Sequence, residues 1–397
     1  MINISNAKSN GPIKPEVAFL EFAFRPLFLL ASLFSIISLL VWNSTLTGSI
    51  SLNLYGGSLW WHMHEMLFGF TAAIIVGFLL TAVQNWTKVK GVNGLGLLAL
   101  VAVWFTARVL FFLPTVIPHW LIASVDIAFL PIAALCLAYP ILKVKQWRNL
   151  MFIPILVMMS LVNFTMHYAV FIQDFQLINS ASTAMVLLVT LVMCIMGGRV
   201  FPMFTANGTK TPRTNALPWL ENLAMGSTLL AVLSSFNIIE LPAILIAIIF
   251  FVAAIANATR ALRWKIWVTL KTPLVWSLHI SYLCIAIGLL MYGLSEITTV
   301  VSHSQAIHAL TVGAMGTMIL SMISRVSLGH TGRNIVVGKV MTIAFIAIIL
   351  AFFTRVFGSY FIGNYSQVIA AAVGFWVIAY GCFVVLYFPI LTKPRFR

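Results

Sequence analysis

Apolar residues gather along the chain into long runs separated by short polar breaks. Each run is about the 20 residues that a helix needs to cross a bilayer. Twelve runs answer this description, at 23–43, 59–84, 94–112, 120–142, 150–171, 181–203, 218–235, 241–259, 273–294, 304–326, 338–357 and 367–391. The breaks are turn-like, as from Asn43 to Gly57, Pro114 to Pro118, Thr209 to Pro218 and Gly358 to Tyr365. Lipid offers backbone groups no partners, so segments of this kind are expected as helices. The pattern predicts an all-α, polytopic membrane bundle of about 12 transmembrane helices forming a single domain over 1–397, with tails at 1–20 and 392–397.

The distribution of basic residues sets an expected orientation. Loops after odd-numbered runs, such as 44–58, 113–119, 172–180 and 236–240, hold no Lys or Arg. Loops after even-numbered runs hold Lys88 and Lys90; Lys143, Lys145 and Arg148; Lys210 and Arg213; Arg260, Arg263, Lys265 and Lys271; Arg333 and Lys339. Basic residues are retained on the cytoplasmic side, so both termini are expected there.

Composition narrows the classes further. Charged residues make up 8% of the 397 and apolar residues 61%, against about 25% charged in a soluble domain. The net charge of +15 is spread over short loops rather than gathered on one face, which argues against nucleic acid as a partner and leaves the lipid bilayer as the surrounding medium. Cys136, Cys194, Cys284 and Cys382 each stand alone in an apolar run, a pattern that excludes covalent c-type haem and a thiolate metal site. The first twenty residues lack the apolar centre of a cleavable signal peptide.

Ionisable groups inside a bilayer cost about 2.5–3.5 kcal/mol each on insertion scales and so mark function. With the expected orientation, His62, His64, Glu65, His119, His167, His303 and His308 fall in the outer half, with Arg108 and Arg355 near the same depth. Imidazole is a common metal ligand and an axial ligand of haem iron, and buried arginines suit haem propionates. Candidate ligands are therefore His62, His64, His167 and His308, with Arg108 and Arg355 as cofactor-binding residues and Glu65 as a proton carrier or an acceptor for an imidazole N–H. On a helix His62 and His64 stand about 200° apart and cannot serve one site together unless the helix is unwound there.

His279 reads equally as a ligand or a backbone hydrogen-bond partner, and His330 as a cap or a ligand. Gly313 and Gly316 read as close helix packing or as clearance for a haem face. Met315, Met318 and Met322 share a face and read chiefly as core, although thioethers also bind copper(I). Arg25 and Arg199 are expected to cap carbonyls or meet lipid phosphate.

Several of these segments together resemble the NnrS family of bacterial membrane proteins. They are Phe24-Arg-Pro-Leu-Phe28, Trp61-His-Met-His-Glu-Met-Leu-Phe-Gly-Phe70, Gly77 to Val83 with Asn85-Trp86, Gly197-Gly-Arg-Val-Phe-Pro-Met-Phe-Thr205, His308 to Gly316, and Arg325 with Leu328-Gly-His-Thr-Gly-Arg333. Asn163 with His167, and Trp276 with His279, also look like family positions, whereas His119 and His303 match none. The resemblance implies haem (haem b) and copper, and a part in the nitric oxide response, nitrosative stress and denitrification. Two readings follow. One is an oxidoreductase that reduces nitric oxide with electrons from an external quinol or cytochrome. The other is a non-catalytic haem-based sensor, or a transporter of metal, haem or a nitrosylated species.

Overall fold

The computed structural model describes residues 18–237 and 239–396; residues 1–17 of the expected N-terminal tail, and Arg397, lie outside them. Among the described residues the chain is helical, and all twelve apolar runs fold as rods. These are α1 (Phe24–Leu46), α2 (Ser58–Thr87), α3 (Gly94–Leu110), α4 (His119–Lys143), α5 (Phe152–Ile172), α6 (Phe175–Thr209), α7 (Pro218–Ser234), α8 (Ala243–Arg263), α9 (Pro273–Ile297), α10 (His303–His330), α11 (Lys339–Phe357) and α12 (Tyr365–Thr392). Ten of them are long and apolar enough to cross a membrane; α3 and α7, at 17 residues each, are shorter. The chain is a multi-pass membrane protein.

Short loops force consecutive rods into antiparallel contact, and α12 returns against α1 to close the array. Inner and outer helices differ in cover: the apolar windows of α2 and α6 are 83% and 78% buried, those of α4, α5 and α8 only 39%. The outer rods present Leu135, Phe171, Leu230, Ile255 and Val385 outward, as a lipid-facing surface must. α6 runs through the interior and touches α2, α9 and α10.

The two helices that carry the histidines are irregular at matching places. In α2 an α-helical start, Ser58–His64, gives way to a π segment, Glu65–Ala72. In α10 the start His303–His308 gives way to a π segment, Ala309–Gly316. A π turn frees carbonyls that need other donors. Trp104 Nε1 donates to the carbonyl of Gly69 at 2.8 Å, and the Tyr380 hydroxyl to that of Gly316 at 2.8 Å. The start of α10 is fixed by a capping box between Ser302 and Gln305.

The small residues of α10 serve close packing. A Cβ at Gly313 would stand 2.6 Å from the Phe352 ring, and one at Gly316 2.7 Å from Trp376. Aromatic side chains of α11 and α12 fill the space that a haem face would need, which decides between the two readings of these glycines. Residues 393–396 of the expected C-terminal tail fold back: Arg25 donates to the carbonyls of Leu391 and Lys393, and the Phe396 N–H to that of Thr331.

Candidate functional site

The four histidines expected as ligands, His62, His64, His167 and His308, divide into two groups. The first is a closed polar network between α2, α3, α4 and α5. It holds His64, Glu65, Arg108, Asp126, Asn163 and His167, all buried. His64 Nδ1 lies 2.9 Å from Glu65 Oε1 and its Nε2 lies 2.8 Å from Asn163 Oδ1. Asn163 Nδ2 donates to Asp126 Oδ2 at 2.7 Å, which fixes the orientation of the amide. Arg108 bridges the two carboxylates, donating to Glu65 Oε1 at 2.6 Å and to Asp126 Oδ1. His167 places Nε2 3.1 Å from Asp126 Oδ2 and Nδ1 3.1 Å from the Tyr55 hydroxyl.

Aromatic rings hold the His64 ring in place. Trp60 stacks on it at 4.5 Å and 14°, and Phe68 at 4.9 Å and 27°. Arg108 fits because residue 69 is glycine: a Cβ there would meet Arg108 Nη1 at 2.7 Å and Glu65 Oε2 at 3.3 Å.

The charge of this cluster is informative. Glu65 and Asp126 face a single guanidinium, so with both imidazoles neutral one negative charge stays uncompensated. A low dielectric strongly disfavours that state. Both His64 nitrogens face side-chain oxygens, and a bound cation would balance the charge. His64, Asp126 and His167 each offer a ligand atom, and the three atoms lie within 4.8 Å of one another. Two imidazoles and a carboxylate suit a first-row transition metal.

The second group lies where α2 faces α10. His62 stacks on Trp42 of α1 at 4.6 Å and 12°, and its buried Nδ1 has no hydrogen-bond partner among the described residues. His308 donates from Nδ1 to the carbonyl of Ser304 at 2.7 Å. That bond fixes the tautomer and leaves the Nε2 lone pair free, the arrangement that metal-bound histidines adopt. His62 and Arg355 are both within Coulombic range of His308. Arg355 donates to Ser304 Oγ at 3.2 Å. All three side chains are partly rather than fully buried.

The other candidates lie elsewhere. Arg108 is committed to Glu65 and Asp126, leaving Arg355 as the arginine beside the open imidazoles. His279 is buried between α6 and α9, with Nε2 2.8 Å from Thr205 Oγ1 and its Nδ1 without a partner. His330 packs against Phe24 at 5.7 Å, His303 against Tyr292 at 4.3 Å, and His119 against Tyr55 at 5.1 Å. Met315 and Met318 are core residues.

Asp126 and Tyr55 escape the sequence reading. Asp126 is the one carboxylate in the 120–142 run, so the rule that singles out intramembrane histidines points to it too. Tyr55 precedes α2 in a loop, and nothing in its neighbourhood distinguishes it.

Among comparisons with known proteins, a family model described as NnrS protein matches residues 18–395, nearly the whole chain. No curated protein matches it.

Proposed function

The chain belongs to the NnrS family, and on that premise we propose that it is a haem-binding inner-membrane protein of nitric oxide metabolism and nitrosative-stress resistance. It binds and reduces NO at a histidine-ligated centre in the periplasmic half. The observation that carries the reading is the pair of open imidazoles, His62 with its Nδ1 unpartnered among the described residues and His308 with its Nδ1 tied to Ser304. The imidazoles of His62 and His308 are the groups that would hold haem b, and the Arg355 guanidinium would meet a propionate. Bound there, haem supplies an iron centre for NO binding and electron transfer.

The remaining work falls to side chains. Trp42 orients His62 by stacking, and Ser304 orients His308. Reduction of two NO takes two electrons and two protons and releases N₂O and water. Glu65 Oε2, buried and without a partner, is the place in the network where a proton would be held. The electrons come from an external quinol or cytochrome. His64, Asp126 and His167 are the residues that would hold a second metal, with copper as the candidate.

In this reading all twelve rods cross the membrane and both termini face the cytoplasm. The loops free of Lys and Arg then lie outside, next to the histidines. Small uncharged NO reaches such a site through lipid without a polar channel.

The test is an optical spectrum of the purified chain, reduced and then exposed to NO. A Soret band with N₂O released on adding reductant is the expected result. A band with NO binding and no turnover would replace the enzyme by a sensor, and absence of any Soret band would overturn both.

A further inference from the structure

We propose a second site at the opposite end of the bundle, which binds the phosphate group of an anionic lipid between α6, α7 and α8. A cavity of about 190 Å³ opens there, lined by Gly198, Arg213, Asn215, Glu221, Arg260 and Arg263 among others. It is several times the roughly 30 Å³ share of a water molecule. Nothing in the nitric oxide reading uses it.

Its charges sort into a closed pair and two open cations. Arg260 is saturated: Nε and Nη2 donate to the Glu221 carboxylate at 3.2 and 2.7 Å, and Nη1 donates to the Tyr282 hydroxyl and to Asn257 Oδ1. The pair lies flat on α6 because residue 198 is glycine, where a Cβ would stand 2.0 Å from Arg260 Nη2 and 2.9 Å from Glu221 Oε2. Glu221 is therefore neutralised, and Arg213 and Arg263 face the same cavity with no carboxylate of their own. Arg263 is held by Nη2 donating to the carbonyl of Asn215 at 3.1 Å, and its backbone carbonyl accepts from Thr214 Oγ1 at 3.3 Å. Two guanidinium groups lining one cavity, one of them anchored to a loop carbonyl, are the chemistry that recognises a phosphate oxyanion.

Lipid is the source that the surroundings favour. α7 and α8 flank the cavity and carry exposed apolar stripes below it, Leu223 with Leu230 and Ile255 with Leu262, along which acyl chains can lie. Trp219 is 62% exposed beside the lining residue Leu220, as aromatic residues at a membrane interface are. Basic pockets between helices on the cytoplasmic side are suited to anionic head groups.

The experiment is native mass spectrometry of the full chain in detergent, equilibrated with phosphatidylglycerol, phosphatidylcholine or inorganic phosphate. Wild type is expected to retain one phosphatidylglycerol that R213Q/R263Q holds roughly thirtyfold more weakly. R148Q, which removes one charge from another loop as R213Q alone does, should retain it as wild type does. If the double variant misfolds, R213Q alone, at an exposed side chain, reports the same loss in smaller degree. Equal retention by wild type and the variants, or an equal loss in R148Q, overturns the site. Binding of inorganic phosphate without phosphatidylglycerol overturns the lipid assignment in favour of a soluble phosphate.

Discussion

Gly69 and Arg108 are in contact across α2 and α3, so close that a single methyl group on Gly69 would lie 2.7 Å from the guanidinium. The contact makes the π segment of α2 the wall against which both carboxylate bridges are built. G69A is expected to push Arg108 away from Glu65 and to cost about 1–3 kcal/mol of stability, the range for overpacked interiors. Thermal unfolding in detergent measures it, and an unchanged midpoint would mean that the guanidinium has room to spare.

H62A and H308A should each shift or abolish the Soret band, with added imidazole restoring it. H64A and H167A should leave the Soret position where it is in wild type, because their imidazoles are engaged within the network. A spectrum lost in the second pair and kept in the first would reverse the assignment.

Arg355 touches neither iron ligand directly in this reading. R355Q is expected to leave the spectrum unchanged while haem dissociates about tenfold faster, the size of one charge-assisted hydrogen bond. Transfer of haem to excess apomyoglobin provides the rate.

Asp126 joins Arg108, Asn163 and His167. D126N leaves Arg108 paired with Glu65 but turns an amide toward donors that Asp126 now accepts from, and should cost about 1–3 kcal/mol, the range for buried groups left unsatisfied. If the network holds a metal, D126N and H167A also lose it stoichiometrically while H62A keeps it, as elemental analysis of the purified chain would report. Metal content equal in all three and in wild type would remove the second centre.

At the other end, G198A should be more damaging than G69A, since the new methyl would overlap Arg260 Nη2 at 2.0 Å. Lower yield of folded protein and a lower unfolding midpoint are the expected readouts.

Much of the fold is legible because lipid imposes one rule on every span. The 150–171 run becomes Phe152–Ile172, and 94–112 becomes Gly94–Leu110. α6 exceeds its run at both ends. Asp174 caps its start by accepting from the Leu177 N–H, and its polar end is held inside by packing against α9. Polarity within a run locates the network residues, but pairing between helices is invisible in a single sequence. Arg108 thus reads as a free cation although Glu65 and Asp126 occupy it. The π segments leave no trace in hydropathy, because residues on every face of these helices are apolar whichever way they turn. The 200° between His62 and His64, by contrast, follows from helical geometry alone and matches their separation into two surroundings.

Arg25 opens α1, and two of its acceptors are the carbonyls of Leu391 and Lys393. During synthesis the first rod thus enters the membrane with a cation whose partners lie 366 and 368 residues further along the chain. Until those are made Glu21 and lipid phosphate must serve in their place. The stretch from Leu391 to Phe396 acts as a clasp, so its loss should disturb maturation at the start of α1.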